Sequence, residues 1–168
     1  TRSEKELQVY PTAVTLARGV IAEAFSNKVI TPGVTTTDDV AWYLRERFEA
    51  LQLRPWFQPY VNIQRRGDEA DKDAPYLGKS NRVILPGDVL HTDVGICYLN
   101  QCTDTQEMGY VLKIDETDAP QGLKDALLLG NQWQDILTSN FKTGLTGNQI
   151  LANTLKQTKE RNVISSTY

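Results

Sequence analysis

Two aspartates, Asp93 and Asp104, close the two ends of the stretch HTDVGICYLNQCTD, residues 91–104. The stretch reads as one β-hairpin, so the acids sit where most strands place apolar or neutral residues. Burying a carboxylate without a partner is expensive, and two facing carboxylates oppose each other's ionisation. Side chains alternate faces along a strand. His91, Asp93, Gly95 and Cys97 therefore share one face, and Thr92, Val94, Ile96 and Tyr98 take the other. A fold-back about Tyr98–Leu99 sets Asp93 directly opposite Asp104, with Cβ atoms about 4.5–5.5 Å apart. A turn shifted onto Leu99–Asn100 makes the two acids diagonal neighbours, still close.

Three chemistries fit such a pair. The acids can be solvated at an exposed edge. They can form a dyad that shares a proton for acid–base work. Or they can be oxygen ligands for a divalent metal such as manganese, cobalt, iron or zinc, with the option of bridging two ions about 3.5–4 Å apart. Val94, Ile96, Val111 and Leu112 weigh against an exposed edge. Spacing alone ranks metal only modestly first and leaves the others open.

The elements that must position this hairpin can be read from periodicity. Leu7, Tyr10, Val14, Ala17, Ile21, Ala24 and Phe25 recur at helical spacing over residues 3–26. Pro11 marks either a kink or a later start. Pro32 and Gly33 break that helix. A second helix is expected over 37–53, launched by a capping box at Thr35–Asp38 or Thr36–Asp39, with Val40, Tyr43, Leu44, Phe48 and Leu51 inward. Residues 57–65 read as a strand kept to an edge by Pro59. Residues 66–82 read as a long polar loop, with Arg65-Arg66 solvated beside Asp68 and Glu69. Pro86-Gly87-Asp88 is a turn that launches the hairpin strands, 88–98 and 101–114. Helices follow over 120–138 and 147–161, the second begun by a Thr146–Gln149 capping box. Helices and strands are segregated, which predicts an α+β fold with an antiparallel sheet in a single domain over 1–168.

Composition narrows the function classes. The 168 residues carry a net charge of −3 and are 40% hydrophobic, ordinary for a globular domain. There is no basic stripe, so nucleic acid is not an expected partner. No apolar run approaches the roughly 18 residues of a membrane span. Two cysteines, Cys97 and Cys102, read as small buried hydrophobes, with a disulfide across the hairpin as the alternative. Two thiols and the single His do not furnish a structural zinc site.

The segment PGDVLHTDVGICYLNQCTDTQEMGYVL resembles the first metal-ligand region of the pita-bread metallopeptidases: methionine aminopeptidases, Xaa-Pro aminopeptidases and prolidase. The shared pattern is a Gly-Asp turn, here Gly87-Asp88, an Asp before an aliphatic-Gly pair, here Asp93-Val94-Gly95, and a second Asp, here Asp104. ITPGVTTTDDVAWYLRERF resembles the family's turn into its second helix. The resemblance implies a partial pita-bread fold with helices packed on one face of the sheet. It makes Asp93 a bidentate ligand of one metal and Asp104 a bridge between two. It implies two divalent ions, manganese, cobalt or zinc, in the complete enzyme, and a peptide or dipeptide substrate. Residues 57–85 depart from the methionine enzymes' substrate loop and favour the Xaa-Pro side.

The chain also departs from the family. A His ligand and two later Glu ligands have no match: His91 lies within the first motif, and Glu107, Glu116 and Glu160 lie in none. On its strand His91 faces the same side as Asp93, where a supporting role competes with a structural or solvated one. The expectation is an incomplete catalytic domain that binds no metal stoichiometrically alone. Its exposed apolar surface would permit self-association as a homo-oligomer. The alternatives are a non-catalytic pita-bread module that binds peptide or protein, and a metal-free carboxylate-dyad enzyme. Localisation stays open.

Overall fold

The structure, a computed structural model, describes residues 2–67 and 81–163. Among the described residues ten elements run in the order α1 (Glu4–Ala24), α2 (Thr37–Ala50), β1 (Arg54–Pro55), β2 (Tyr60–Gln64), β3 (Val89–Val94), β4 (Ile96–Tyr98), β5 (Gln101–Cys102), β6 (Thr105–Tyr110), α3 (Gln121–Ser139) and α4 (Gly147–Glu160). The chain divides into two compact units after Thr117. The fold is α+β, and both of its small sheets are antiparallel.

Helix starts follow local chemistry. Ser3 and Glu6, Thr36 and Asp39, and Thr146 and Gln149 each form a reciprocal capping box, satisfying backbone N–H groups that would otherwise lack partners. The first of these was not anticipated. It starts α1 at Glu4, so Pro11 lies inside the helix rather than at its beginning.

In the first unit one sheet has the order β2-β3-β6 and the other β1-β4-β5. β2 is an edge, as Pro59 predicts. The inward positions Val61, Ile63, Leu90 and Val94 are buried and join Ala17, Val20, Ile21, Ala24, Val40, Leu44 and Phe48 of α1 and α2 in one core. Each large apolar side chain buried this way contributes about 1.5–3 kcal/mol. The two helices therefore cover one face of the sheet, as expected.

The hairpin differs from the expected pair of long strands. Both strands break, at Gly95 and at Thr103-Asp104, so four short strands are shared between two sheets. Its turn sits on Leu99-Asn100, closed by the pair Tyr98–Gln101. Both turn residues have positive φ, 48° and 62°, the backbone of a two-residue turn whose twist matches that of the strands. One pair inward, Cys97 faces Cys102 and the two form a disulfide with Cα atoms 4.0 Å apart. The reading of two buried free thiols is thereby corrected.

Before β3, Gly87 (φ 94°) makes the expected turn, and Asp88 is fully buried. The Arg65 guanidinium grips both Asp88 oxygens, at 2.7 and 2.8 Å. The Leu85 N–H donates to Asp88 Oδ2 at 2.8 Å. Arg65 is thus a clamp and not a solvated loop residue; the remainder of the expected loop, 68–80, lies outside the described residues.

In the second unit α3 packs on α4. Asn140, buried at the end of α3, donates to the Ile136 carbonyl at 2.8 Å, and buried Thr154 donates to the Ile150 carbonyl at 2.8 Å. Among the described helices none is long and apolar enough to cross a membrane.

Candidate metal-ligand site

β3 is the central strand of its sheet, so each residue on it has a partner on either side. Asp93 lies between Tyr60 on β2 and Gln106 on β6. Because Val94 pairs with Thr105, the register carries Asp104 opposite Gly95 and diagonal to Asp93. The directly opposed register is not adopted. The shifted turn is, and it still brings the two carboxylates together.

This row lies on the face away from the helices, since Leu90, Thr92 and Val94 point into the core. Asp93 is half-buried and Asp104 exposed. One Asp93 oxygen, Oδ2, accepts from Gln106 Nε2 at 3.1 Å. The other, Oδ1, is buried with no hydrogen-bond partner. Burial raises the Asp93 carboxyl above its ordinary range, and Asp104 raises it further by its charge and by a carboxyl–carboxyl contact. The His91 imidazole and the Gln106 amide pull the other way without offsetting this. Two ionised carboxylates cannot donate to each other, which is why Oδ1 lacks a partner until a proton or a cation arrives.

Trp56 builds the wall beside the pair. A Cβ placed on Gly95 would lie 1.8 Å from Trp56 Nε1 and 2.4 Å from Phe57 Cε1. The indole therefore occupies the space that a side chain at 95 would fill, next to Asp93 on the same face. Its Nε1 donates to the Thr103 carbonyl at 2.7 Å, the residue before Asp104. Sequence reading missed Trp56, although an aromatic near a strand glycine signals close approach.

The other acids and the histidine are distributed differently. Glu107 pairs with Arg18 of α1, and Glu116 accepts from Tyr110 at 2.8 Å and from the Lys113 N–H at 2.9 Å. Neither joins the pair. His91 does not touch Asp93 by hydrogen bond; its Nε2 meets Gln106 Oε1 at 3.0 Å. Among the described residues no group of three or more His, Cys, Asp or Glu is placed to hold a metal ion. The donor set fits a hard or borderline cation in kind, since both groups are carboxylates and one offers an unpartnered buried oxygen. In number it supplies part of a coordination shell.

The sequence model of Metallopeptidase family M24 matches residues 10–165. No curated protein matches. X-Pro aminopeptidase from Thermotoga maritima superposes with a TM-score of 0.72 at 19% identity, over 95% of this chain and 42% of that one. Prolidase from Pyrococcus horikoshii gives 0.70 at 19% identity, over 95% and 43%. Methionine aminopeptidase from Thermotoga maritima gives 0.56 at 22% identity, over 84% and 53%. The chain thus spans between 42% and 53% of the length of these structures. At such identities the likeness establishes the fold, part of the pita-bread architecture.

Proposed function

This chain belongs to metallopeptidase family M24, and from that premise we propose that Asp93 and Asp104 supply two carboxylate ligands to the divalent-metal centre of an aminopeptidase or dipeptidase. The substrate we assign is a peptide or dipeptide of Xaa-Pro type, and the metal manganese, cobalt or zinc. The two units would together form the first part of one catalytic domain. The observation that carries the reading is the buried, partnerless Oδ1 of Asp93 beside the Asp104 carboxylate.

Divalent metal bound there supplies Lewis acidity towards a peptide carbonyl and activation of water. The chain's own residues do the rest. Asp93 offers Oδ1 from a central strand whose position is fixed by partners on both sides. Asp104, at the break between sheets and open to solvent, can reach a cation from the diagonal. Trp56 packs over Gly95 and holds the Thr103 carbonyl, fixing the backbone next to both acids. The remaining ligands must come from outside the described residues.

The test is turnover of a Xaa-Pro dipeptide by metal-loaded full-length protein. Asp104→Asn is expected to abolish it, and near wild-type turnover would reject the ligand role. The 168-residue chain alone is expected to bind no stoichiometric manganese or zinc at micromolar metal. If the loaded full-length protein binds peptides without cleaving them, the non-catalytic binding module replaces this reading. That alternative draws its support from the lack of a third donor among the described residues.

A further inference from the structure

We propose that Gln106 and His91 form a two-link relay of positioning residues that fixes the rotation of the Asp93 carboxylate offered to a cation. The purpose of the relay rests on the reading of Asp93 as a ligand; its geometry does not.

Cross-strand pairing sets Gln106 directly beside Asp93, with both side chains on the face away from the helices. Gln106 Nε2 lies 3.1 Å from Asp93 Oδ2, and Gln106 Oε1 lies 3.0 Å from His91 Nε2. The chemistry of the three groups orders the protons. An ionised carboxylate only accepts. The amide must therefore turn its NH2 towards Asp93, and its oxygen is left facing His91. An amide oxygen also only accepts, so His91 Nε2 must carry a hydrogen. The neutral imidazole is thereby fixed as the Nε2–H tautomer, and the chain runs His91 to Gln106 to Asp93 in one direction.

The consequence falls on Asp93. The torsion that rotates an aspartate carboxylate is broad, so an unrestrained Asp would leave its carboxylate plane unfixed. Here the amide holds Oδ2 through one lone pair and leaves Oδ1 buried without a hydrogen-bond partner, so the plane is fixed while lone pairs on both oxygens stay open to a cation. A neutral amide suits this task. It orients the carboxylate without adding a charge that would compete with the cation for it. Groups of this kind, outside the ligand set, typically change metal affinity by about 10–100-fold when removed. Gln106 is exposed, so the lower end of that range applies.

His91 is the single histidine of the chain, which makes the first test free of assignment ambiguity. A long-range 1H–15N correlation spectrum of the metal-free full-length protein, at a pH where the ring is neutral, reads the tautomer directly. Nε2–H is expected; Nδ1–H would overturn the relay. The second test is cobalt titration of the same protein, read by affinity and by the visible d–d spectrum. Gln106→Leu is expected to weaken binding about tenfold and to shift the bands. His91→Phe should give a smaller loss that His91→Gln, which restores an N–H donor, recovers. Affinity and spectrum unchanged in Gln106→Leu, while Asp93→Asn loses the metal, overturn the relay and leave the ligand reading intact. Binding unchanged in Asp93→Asn overturns the ligand reading itself. Should Gln106→Leu fail to fold, the tautomer measurement on the unaltered protein decides.

Discussion

Asp88 precedes β3 and Asp93 lies near its far end, yet the fold treats them in opposite ways. Asp88 is buried and saturated: a guanidinium fork and a backbone N–H occupy its oxygens. Asp93 is half-buried and short of partners, with one oxygen on an amide and the other without a hydrogen-bond partner. A buried charge is tolerated when it is fully paired, so Asp88 belongs to the architecture. A carboxylate left unsatisfied beside a second one is a standing cost, which a cation or a proton removes.

The largest expected effect comes from breaking the saturated side. Arg65→Met leaves Asp88 buried without its counter-charge and should cost about 3–5 kcal/mol in urea unfolding. A loss well under 1 kcal/mol would mean that Asp88 is less locked than its geometry indicates. Next is Gly95→Ala, which tests whether the acid-bearing face is packed as firmly. The added methyl must displace Trp56 and Phe57, and overpacking of this kind costs about 1–3 kcal/mol. Unchanged stability would show that the indole moves freely. Asp88→Asn keeps the shape but gives up half of the fork and should cost about 1–3 kcal/mol.

Asp93→Asn should be the smallest and of opposite sign. A raised folded-state pKa means that the folded chain holds the proton more tightly than the unfolded chain. That contribution is present below the ordinary aspartate value of 3.8 and is lost as pH rises through the raised value. In chelator-treated protein the Asn variant should therefore gain on the wild type as pH climbs from 3.8 towards neutrality. A flat difference across that range would erase the distinction between the two aspartates.

Local chemistry was legible in the sequence and long-range pairing was not. The Thr36–Asp39 and Thr146–Gln149 boxes lie within a few residues of chain and could be read directly. Ser3–Glu6 carried the same signature and needed only the same reading. The proximity of Asp93 and Asp104 was legible because the alternation of a strand limits which residues share a face. Their register was not. It depends on where the turn tightens, and Leu99 accepts a positive φ that its side chain disfavours. The disulfide follows from that register, since the shifted turn is what faces Cys97 with Cys102. The Arg65–Asp88 clamp joins residues far apart in sequence, and no local pattern announces it. The break at Gly95 had a visible glycine, but its cause is Trp56, brought there by a separate strand.

Gly95 and Trp56 also constrain how this chain can diverge. With an indole nitrogen 1.8 Å from where a Cβ would sit, any side chain at 95 must displace the tryptophan. A smaller side chain at 56 relieves part of that clash, leaving Phe57 2.4 Å away, and gives up the bond to Thr103. Positions 95 and 56 are therefore epistatic: the cost of a side chain at one depends on the residue at the other.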